Sequence, residues 1–369
     1  MARPFTFYEF FAGGGMARLV LGAGWTCLFA NDFDPAKAAA YRDNFGGDHL
    51  MTGDVHALTA ADLPGRADLA WASSPCQDFS LAGARAGLSG GRSSAFYGFW
   101  RLMQALGQEG RAPRMIVVEN VTGLLTANGG ADFTALSAAL AGEGYRFGAI
   151  EVDAAAFLPQ SRPRVLIIAA RGAVDLAGGG TPGRAVAAAR DRLPADLRRL
   201  WIDWPTPSPV RRNLDLAALL EPDDAACWHA PSATAALVSQ MSPLNRRRLD
   251  AALGTGERTV GTIFRRTRQG RPTTELRLDG VAGCLRTPRG GSSRQIIAVI
   301  DKGTVRTRLL TGREGARLMG LPEHYRLPGS VTAALHLVGD GVAVPVVSWL
   351  ARAVLEPVLA VQADILAAE

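Results

Sequence analysis

A chain of 369 residues that is 48% hydrophobic and 20% charged can bury a substantial core in one large domain or two smaller ones, as a soluble globular enzyme does. The four cysteines, Cys27, Cys76, Cys227 and Cys284, make no CxxC pair and the five histidines make no HxxxH pair, which argues against a disulfide framework or a metal site. The net charge is +6, no leader-like pattern opens the sequence, and the apolar stretch from Val342 to Ile365 is broken by Arg352, Glu356 and Pro357, so the expectation is a cytoplasmic protein with no membrane span.

The first half alternates short apolar runs with amphipathic stretches, the pattern of a parallel sheet covered by helices. Strands are expected at Phe5 to Phe10, Trp25 to Asn31, Leu69 to Ala72, Met115 to Glu119, Arg146 to Val152 and Val165 to Ala170. Helices are expected at Ala17 to Gly22, Pro35 to Asn44, Ser94 to Gly107 and Ala131 to Glu143. From Gly178 to Pro209 the composition shifts to Gly, Pro, Arg and Ala, and short strand-like runs continue to about Ile300, which reads as an inserted second region. Helical periodicity returns at Thr311 to Met319 and Val344 to Leu355. The expected division is 1–177, an insert at 178–304, and a return at 305–369.

The basic excess is local. Residues 171–300 hold 20 arginines against 12 acids, and from Arg258 to Arg294 the only interior acids are Glu275 and Asp279. Such a cluster suits a phosphate-contacting surface.

The stretch FYEFFAGGGMARLVLGAG runs from a strand through a glycine turn into a helix, the place where doubly wound sheets hold adenosine cofactors. It lacks the full dinucleotide fingerprint, because Arg18 stands at the third glycine position. The next strand ends in Asp32, placed to accept from ribose hydroxyls, followed by Phe33, an aromatic face for adenine. A third strand end supplies Asp54, placed to accept from the adenine amine. Glycine, acid plus aromatic, and acid favour an adenosyl group without demanding a diphosphate.

At the same sheet edge come SSPCQDFS, with the Cys76 thiol where a buried strand ends, then ENV (Glu119 to Val121) and QSRPR (Gln160 to Arg164). In this order, with FFAGGG before them and RLLTGREGARLMGLPEHY and LVGDGVAVPVV after, the chain resembles the DNA (cytosine-5)-methyltransferases of bacterial type. The resemblance covers almost the whole chain outside the insert. It implies an α/β, class I S-adenosylmethionine-dependent methyltransferase fold (Rossmann-like), with the insert as a smaller target-recognition domain. It implies S-adenosylmethionine as cofactor, S-adenosylhomocysteine as product and double-stranded DNA as substrate. It also leaves room for a cognate restriction endonuclease as partner of a monomeric enzyme.

Residue by residue, the resemblance gives Cys76 as the nucleophile that adds to carbon 6 of a flipped-out cytosine, Glu119 as the acid at N3, Arg164 on the cytosine O2 and Arg162 orienting a neighbouring carboxylate or phosphate. Phe11, Gly13, Gly14, Gly15, Asp32, Phe33, Asp54, Val55, Pro75 and Val342 would line the cofactor. Gln77 and Ser80 would contact the opened duplex, and Arg265, Arg266, Arg268, Arg289 and Arg294 the bound DNA. Three positions depart from the family pattern: Glu9 stands where Asp is common, Gly98 where an acid is frequent, and Asp340 where Asn is usual. A tRNA cytosine methyltransferase is the nearest rival reading, and a nicotinamide oxidoreductase a more distant one.

Overall fold

The computed structural model describes residues 4–22, 24–74, 95–174, 179–208, 212–268, 270–286 and 294–368. The chain forms two compact units, one from residues 1–153, 163–209 and 344–369, the other from 154–162 and 210–343.

The first unit opens with β1 (Phe5–Phe10), α1 (Met16–Leu21), β2 (Trp25–Asp32), α2 (Pro35–Phe45), β3 (Leu50–Thr52) and β4 (Leu69–Ala72). It continues with α3 (Ala95–Gln108), β5 (Met115–Asn120), α4 (Ala131–Gly142), β6 (Arg146–Asp153), β7 (Pro163–Ala170), α5 (Arg184–Arg192) and α6 (Ala195–Arg198). The runs LAWA of β4 and MIVVEN of β5 are buried throughout, as central strands covered on both faces must be. Pro35 pre-sets the first turn of α2, and Asp34 caps it by accepting from the amides of Ala36 and Lys37.

The sheet order is β3-β2-β1-β4-β5-β7-β6. β3, β2, β1, β4 and β5 are parallel, whereas β7 runs antiparallel to both β5 and β6. Six of the seven strands therefore run in the expected common direction, and β7 alone is reversed. The physical reason is the link: residues 154–162 are too few for the crossover that adjacent parallel strands require.

β6 is an edge strand, and its open backbone is met by the segment after α6. The Phe147 amide donates to Leu200 O at 3.0 Å and the Ile202 amide to Phe147 O at 2.7 Å. Residues 178–209 thus belong to the first unit, although their composition set them apart.

The second unit contains α7 (Leu216–Leu219), α8 (Pro231–Ser239), α9 (Pro243–Thr255), β8 (Thr259–Arg268), β9 (Arg271–Arg277), β10 (Ile296–Asp301), β11 (Thr304–Leu309), α10 (Gly312–Leu318) and α11 (Val331–Asp340). Its antiparallel sheet has the order β11-β10-β8-β9. Leu237 of α8 and Leu249 of α9 pack on Ile263, Leu276, Ile296 and Ala298. β10 and β11 are joined at Lys302 and Gly303, both at positive φ, a tight hairpin that keeps them in one unit although the expected boundary falls at 304.

The chain then returns to the first unit as α12 (Val344–Leu350) and α13 (Glu356–Ala368). The helical run Val331–Ile365 is long and apolar enough for a membrane span by composition, but 56% of its most apolar window is buried inside the protein. Helical geometry also lapses at residues 341–343.

Candidate active site and cofactor crevice

β1 ends in a backbone that ordinary side chains avoid. Phe11 has φ 56°, Gly13 φ 56° and Gly15 φ 74°. A bulky residue at positive φ is held there against its own preference, which marks the turn as over-determined by its surroundings. Gly15 must be glycine for a second reason: a Cβ there would lie 2.5 Å from Phe45 Cε2 and 2.9 Å from Tyr41 Cε2. Gly14 is buried, while a Cβ on Gly13 would meet nothing within 4 Å, so the turn is open at that point.

Asp32, at the end of β2, is buried and holds the turn: Oδ2 accepts from the Gly13 amide at 2.7 Å and Oδ1 from the Asp34 amide at 2.8 Å. Burial raises its pKa, opposed by these amide hydrogen bonds. The expected ribose acceptor is therefore also the strut of the glycine turn, with lone pairs left on each oxygen. Phe33 follows it, 72% exposed. Asp54 is exposed and uses Oδ1 to cap the next turn through the His56 amide at 2.9 Å, while Val55 is buried beside it. An open glycine turn, an exposed aromatic ring and two carboxylates at successive strand ends fit an adenosine, and no phosphate is needed to satisfy them.

Behind the turn lies a buried polar cluster. Glu9 is 1% exposed and its Oε2 has no hydrogen-bond partner. Burial pushes its carboxyl up to about 8, against the opposing pull of Arg18. Burial and the neighbouring Glu9 push the Cys27 thiol up to about 12, which makes it a poor nucleophile. Tyr41 joins the group, its hydroxyl 3.1 Å from His49 Nε2.

Further along the edge, β5 ends in Glu119 and Asn120. Glu119 is buried, and the Nε of Arg164, at the start of β7, lies 2.9 Å from its Oε1 without hydrogen-bond geometry. Asn120 Nδ2 donates to the Ser74 carbonyl at 3.0 Å, and its Oδ1 accepts from the Val121 amide at 2.9 Å. The sequence reading missed Asn120. Its signal was an amide side chain closing a wholly apolar strand directly after the glutamate.

The expected residues are divided between the two units. Arg162 lies in the second unit, 2% exposed, where its guanidinium donates to the carbonyls of Leu285 (3.0 Å), Gly339 (3.0 Å) and Gly341 (2.6 Å). These bonds join two stretches of backbone through one guanidinium. Val342, also in the second unit, is 4% exposed. Arg265, Arg266 and Arg268 lie on the β8–β9 hairpin and are exposed or partly so, but Glu275 holds Arg268 at 2.5 Å and Arg266 at 3.6 Å. Arg294 turns onto the Leu310 carbonyl at 3.3 Å. Pro75, Cys76, Gln77, Ser80 and Arg289 lie outside the described residues.

Comparison with known proteins extends these observations to the whole chain. The family model for C-5 cytosine-specific DNA methylase matches residues 5–356. The chain is 26% identical over 367 residues to the type II methyltransferase M.BsuFI of Bacillus subtilis, covering 98% of this chain and 75% of that protein. It is 24% identical over 347 residues to the type II methyltransferase M.HhaI of Haemophilus parahaemolyticus, covering 94% and 92%. The crystal structure of the S. pombe Dnmt2 methyltransferase has the same fold, with a TM-score of 0.63 at 19% identity over 96% of this chain and 99% of that one. A putative DNA modification methyltransferase encoded within a prophage (E. coli) gives a TM-score of 0.57 at 18% identity, covering 96% and 99%. With a Rossmann-like sheet and a family match over nearly its full length, the chain belongs to the C-5 cytosine-specific DNA methylases, enzymes that methylate carbon 5 of cytosine in DNA.

Proposed function

We propose that this chain methylates a cytosine flipped out of duplex DNA through a covalent adduct with Cys76, in a cytoplasmic, monomeric enzyme that can serve beside a cognate restriction endonuclease. The observation that carries the reading is the edge of the first sheet, where Glu119 and Arg164 meet next to the tether between Asn120 and Ser74, the residue before Pro75 and Cys76.

S-adenosylmethionine, leaving as S-adenosylhomocysteine, supplies an electrophilic methyl group. Phe33 and Asp54 would hold its adenine, Asp32 its ribose, and the open turn at Phe11 to Gly15 its remaining part. Carbon 5 of cytosine is a weak nucleophile. The Cys76 thiolate adds to carbon 6, the ring gains an electron pair, and carbon 5 becomes able to attack. Glu119 places a proton at N3, where the added charge would otherwise accumulate, and Arg164 fixes both Glu119 and the cytosine O2. Loss of the carbon 5 proton to water then returns the electron pair and expels the thiolate, and the N3 proton goes back to Glu119. A base inside a stacked duplex cannot present carbon 6 to a thiol, so flipping is required.

The second unit, with the β8–β9 hairpin, is the target-recognition part, and Arg265, Arg266 and Arg268 are its phosphate contacts. Of the other three cysteines, Cys27 is partly buried and hard to ionise, Cys284 both faces the Leu285 carbonyl and accepts from Arg162 at 3.4 Å, and Cys227 is exposed. The first of these facts speaks against Cys27 as the reacting thiol.

The test is methyl transfer from labelled S-adenosylmethionine to duplex DNA, read by bisulfite sequencing, with Cys76→Ser beside the wild type. The variant should bind the cofactor and transfer no methyl group. Duplex DNA carrying 5-fluorocytosine should trap an adduct on Cys76. An adduct mapped to another cysteine, or methylation of tRNA with none of DNA, would overturn the reading.

A further inference from the structure

We infer that Gly98, in the first turn of α3, is a positioning residue for the cofactor: its missing side chain seats the turn that carries Asp54 and Val55, and so sets recognition of the adenine. This rests on the cofactor reading above. Glycine inside a helix costs about 1 kcal/mol relative to alanine, so its place in a 14-residue helix calls for a reason. The packing supplies one. A Cβ on Gly98 would lie 2.7 Å from Val55 Cγ1, 3.0 Å from His56 Nδ1 and 3.1 Å from His56 Cε1.

Three features prevent this crowding from being absorbed elsewhere. α3 cannot retreat, because Phe99 packs on Phe10 of β1 with ring centroids 5.0 Å apart and Phe96, Phe99, Leu102 and Leu106 are all buried. Val55 cannot turn aside, because it is β-branched, 3% exposed and part of the main core cluster. The turn itself is short and self-tied: the Ala57 amide donates to Asp54 O at 2.9 Å, and the His56 amide to Asp54 Oδ1 at 2.9 Å. Any displacement of Val55 therefore carries Asp54 with it.

α3 grips the same turn a second time. Arg101, one turn along from Gly98 and exposed, donates through Nη2 to the carbonyls of His56 (3.2 Å) and Leu58 (2.5 Å). Gly98 sets how closely the turn approaches, and Arg101 holds it there.

The experiment measures binding of S-adenosylhomocysteine, and of its inosine analogue lacking the adenine amine, by calorimetry on the intact chain, with kcat and KM for S-adenosylmethionine measured in parallel. Gly98→Ala should weaken S-adenosylhomocysteine on the order of tenfold, as overpacking against a stiff neighbour does. KM should rise far more than kcat falls, and the preference for adenine over hypoxanthine should shrink. In a Val55→Ala background, where the opposing methyl is gone, the same Gly98→Ala change should cost much less. Should Gly98→Ala fail to fold, Arg101→Ala on the exposed face carries the test, with severalfold weaker binding and the same loss of adenine preference expected. Wild-type binding together with unchanged affinity and preference in the folded variants would overturn this inference alone. Absence of S-adenosylhomocysteine binding by the wild-type chain would overturn the cofactor reading, and this inference with it.

Discussion

Asn120 Nδ2 donates to the carbonyl of Ser74 at 3.0 Å, with both residues buried, so the end of β5 is fastened to the end of β4 where the proposed nucleophile loop begins. Replacing Asn120 by alanine leaves that carbonyl without its donor, a loss worth about 1 to 3 kcal/mol. The expected result is a fall in single-turnover methyl transfer of roughly tenfold or more, since misplacement of a reacting group is costly. Cofactor affinity measured by calorimetry should stay near the wild-type value. Equal losses in both would mean that the tether supports the whole crevice.

The second unit contains a buried ion pair. Arg308 reaches Glu314 by two bonds, at 2.5 and 2.8 Å, and the side chains are 2% and 0% exposed. Glu314 also accepts from the amides of Thr311 and Glu221. Burial alone would raise its pKa, but Arg308 and these amides outweigh it and the pKa is lowered. The pair's contribution is thus present at neutral pH and is lost as pH falls below the ordinary carboxylate range and through the folded pKa. Glu314→Leu alone should destabilise by about 3 to 5 kcal/mol, because it strands the buried guanidinium. Arg308→Met with Glu314→Leu should recover most of that loss in urea unfolding.

Glu9 gives the opposite slope. Its folded pKa, pushed up to about 8 by burial, lies above the unfolded value, so the folded state holds a proton that the unfolded state has released. Stability should fall by up to about 1.4 kcal/mol per pH unit between the ordinary carboxylate range and pH 8, then level off. Glu9→Gln should flatten this dependence and raise stability at pH 8. Parallel pH curves for the two proteins would show that Glu9 stays ionised in the fold.

The β8–β9 hairpin predicts a salt effect. Replacing Arg265, Arg266 and Arg268 together by alanine should weaken binding to every duplex and flatten the dependence of affinity on salt. Because Glu275 already neutralises part of the charge on Arg266 and Arg268, the slope should fall by less than three phosphate contacts would give, at about 0.9 each. Target preference should survive. An unaltered slope with normal affinity would place the DNA contacts elsewhere.

Most of the first sheet was legible because β1, β2, β4 and β5 are apolar runs with a candidate site residue following the same end of each in the sequence, a pattern that period and composition reveal directly. The reversal of β7 was not, since direction depends on the length of a connection and leaves no trace in the strand itself. Residues 178–209 misled by composition: glycine there serves close packing, as at Gly180, where a Cβ would meet the Trp204 carbonyl at 2.2 Å. Arg162 and Arg164 show what spacing leaves open: two residues apart in the sequence, they fall in different units, Arg162 donating to backbone carbonyls and Arg164 lying beside Glu119.

The return of α12 and α13 has a consequence for synthesis of the protein. Trp25 in β2 donates to Glu356 at 3.2 Å, Arg114 before β5 to the Leu359 carbonyl at 3.2 Å, and Gln362 to the Arg171 carbonyl at 2.7 Å. Strands translated early are thus buttressed by residues translated more than 180 positions later. While the ribosome is still working through the second unit, the first sheet waits with one flank uncovered. The ends of these strands away from the crevice gain that cover when residues 344–365 emerge, so a premature stop in that span would strip the sheet there while leaving the candidate cofactor residues intact.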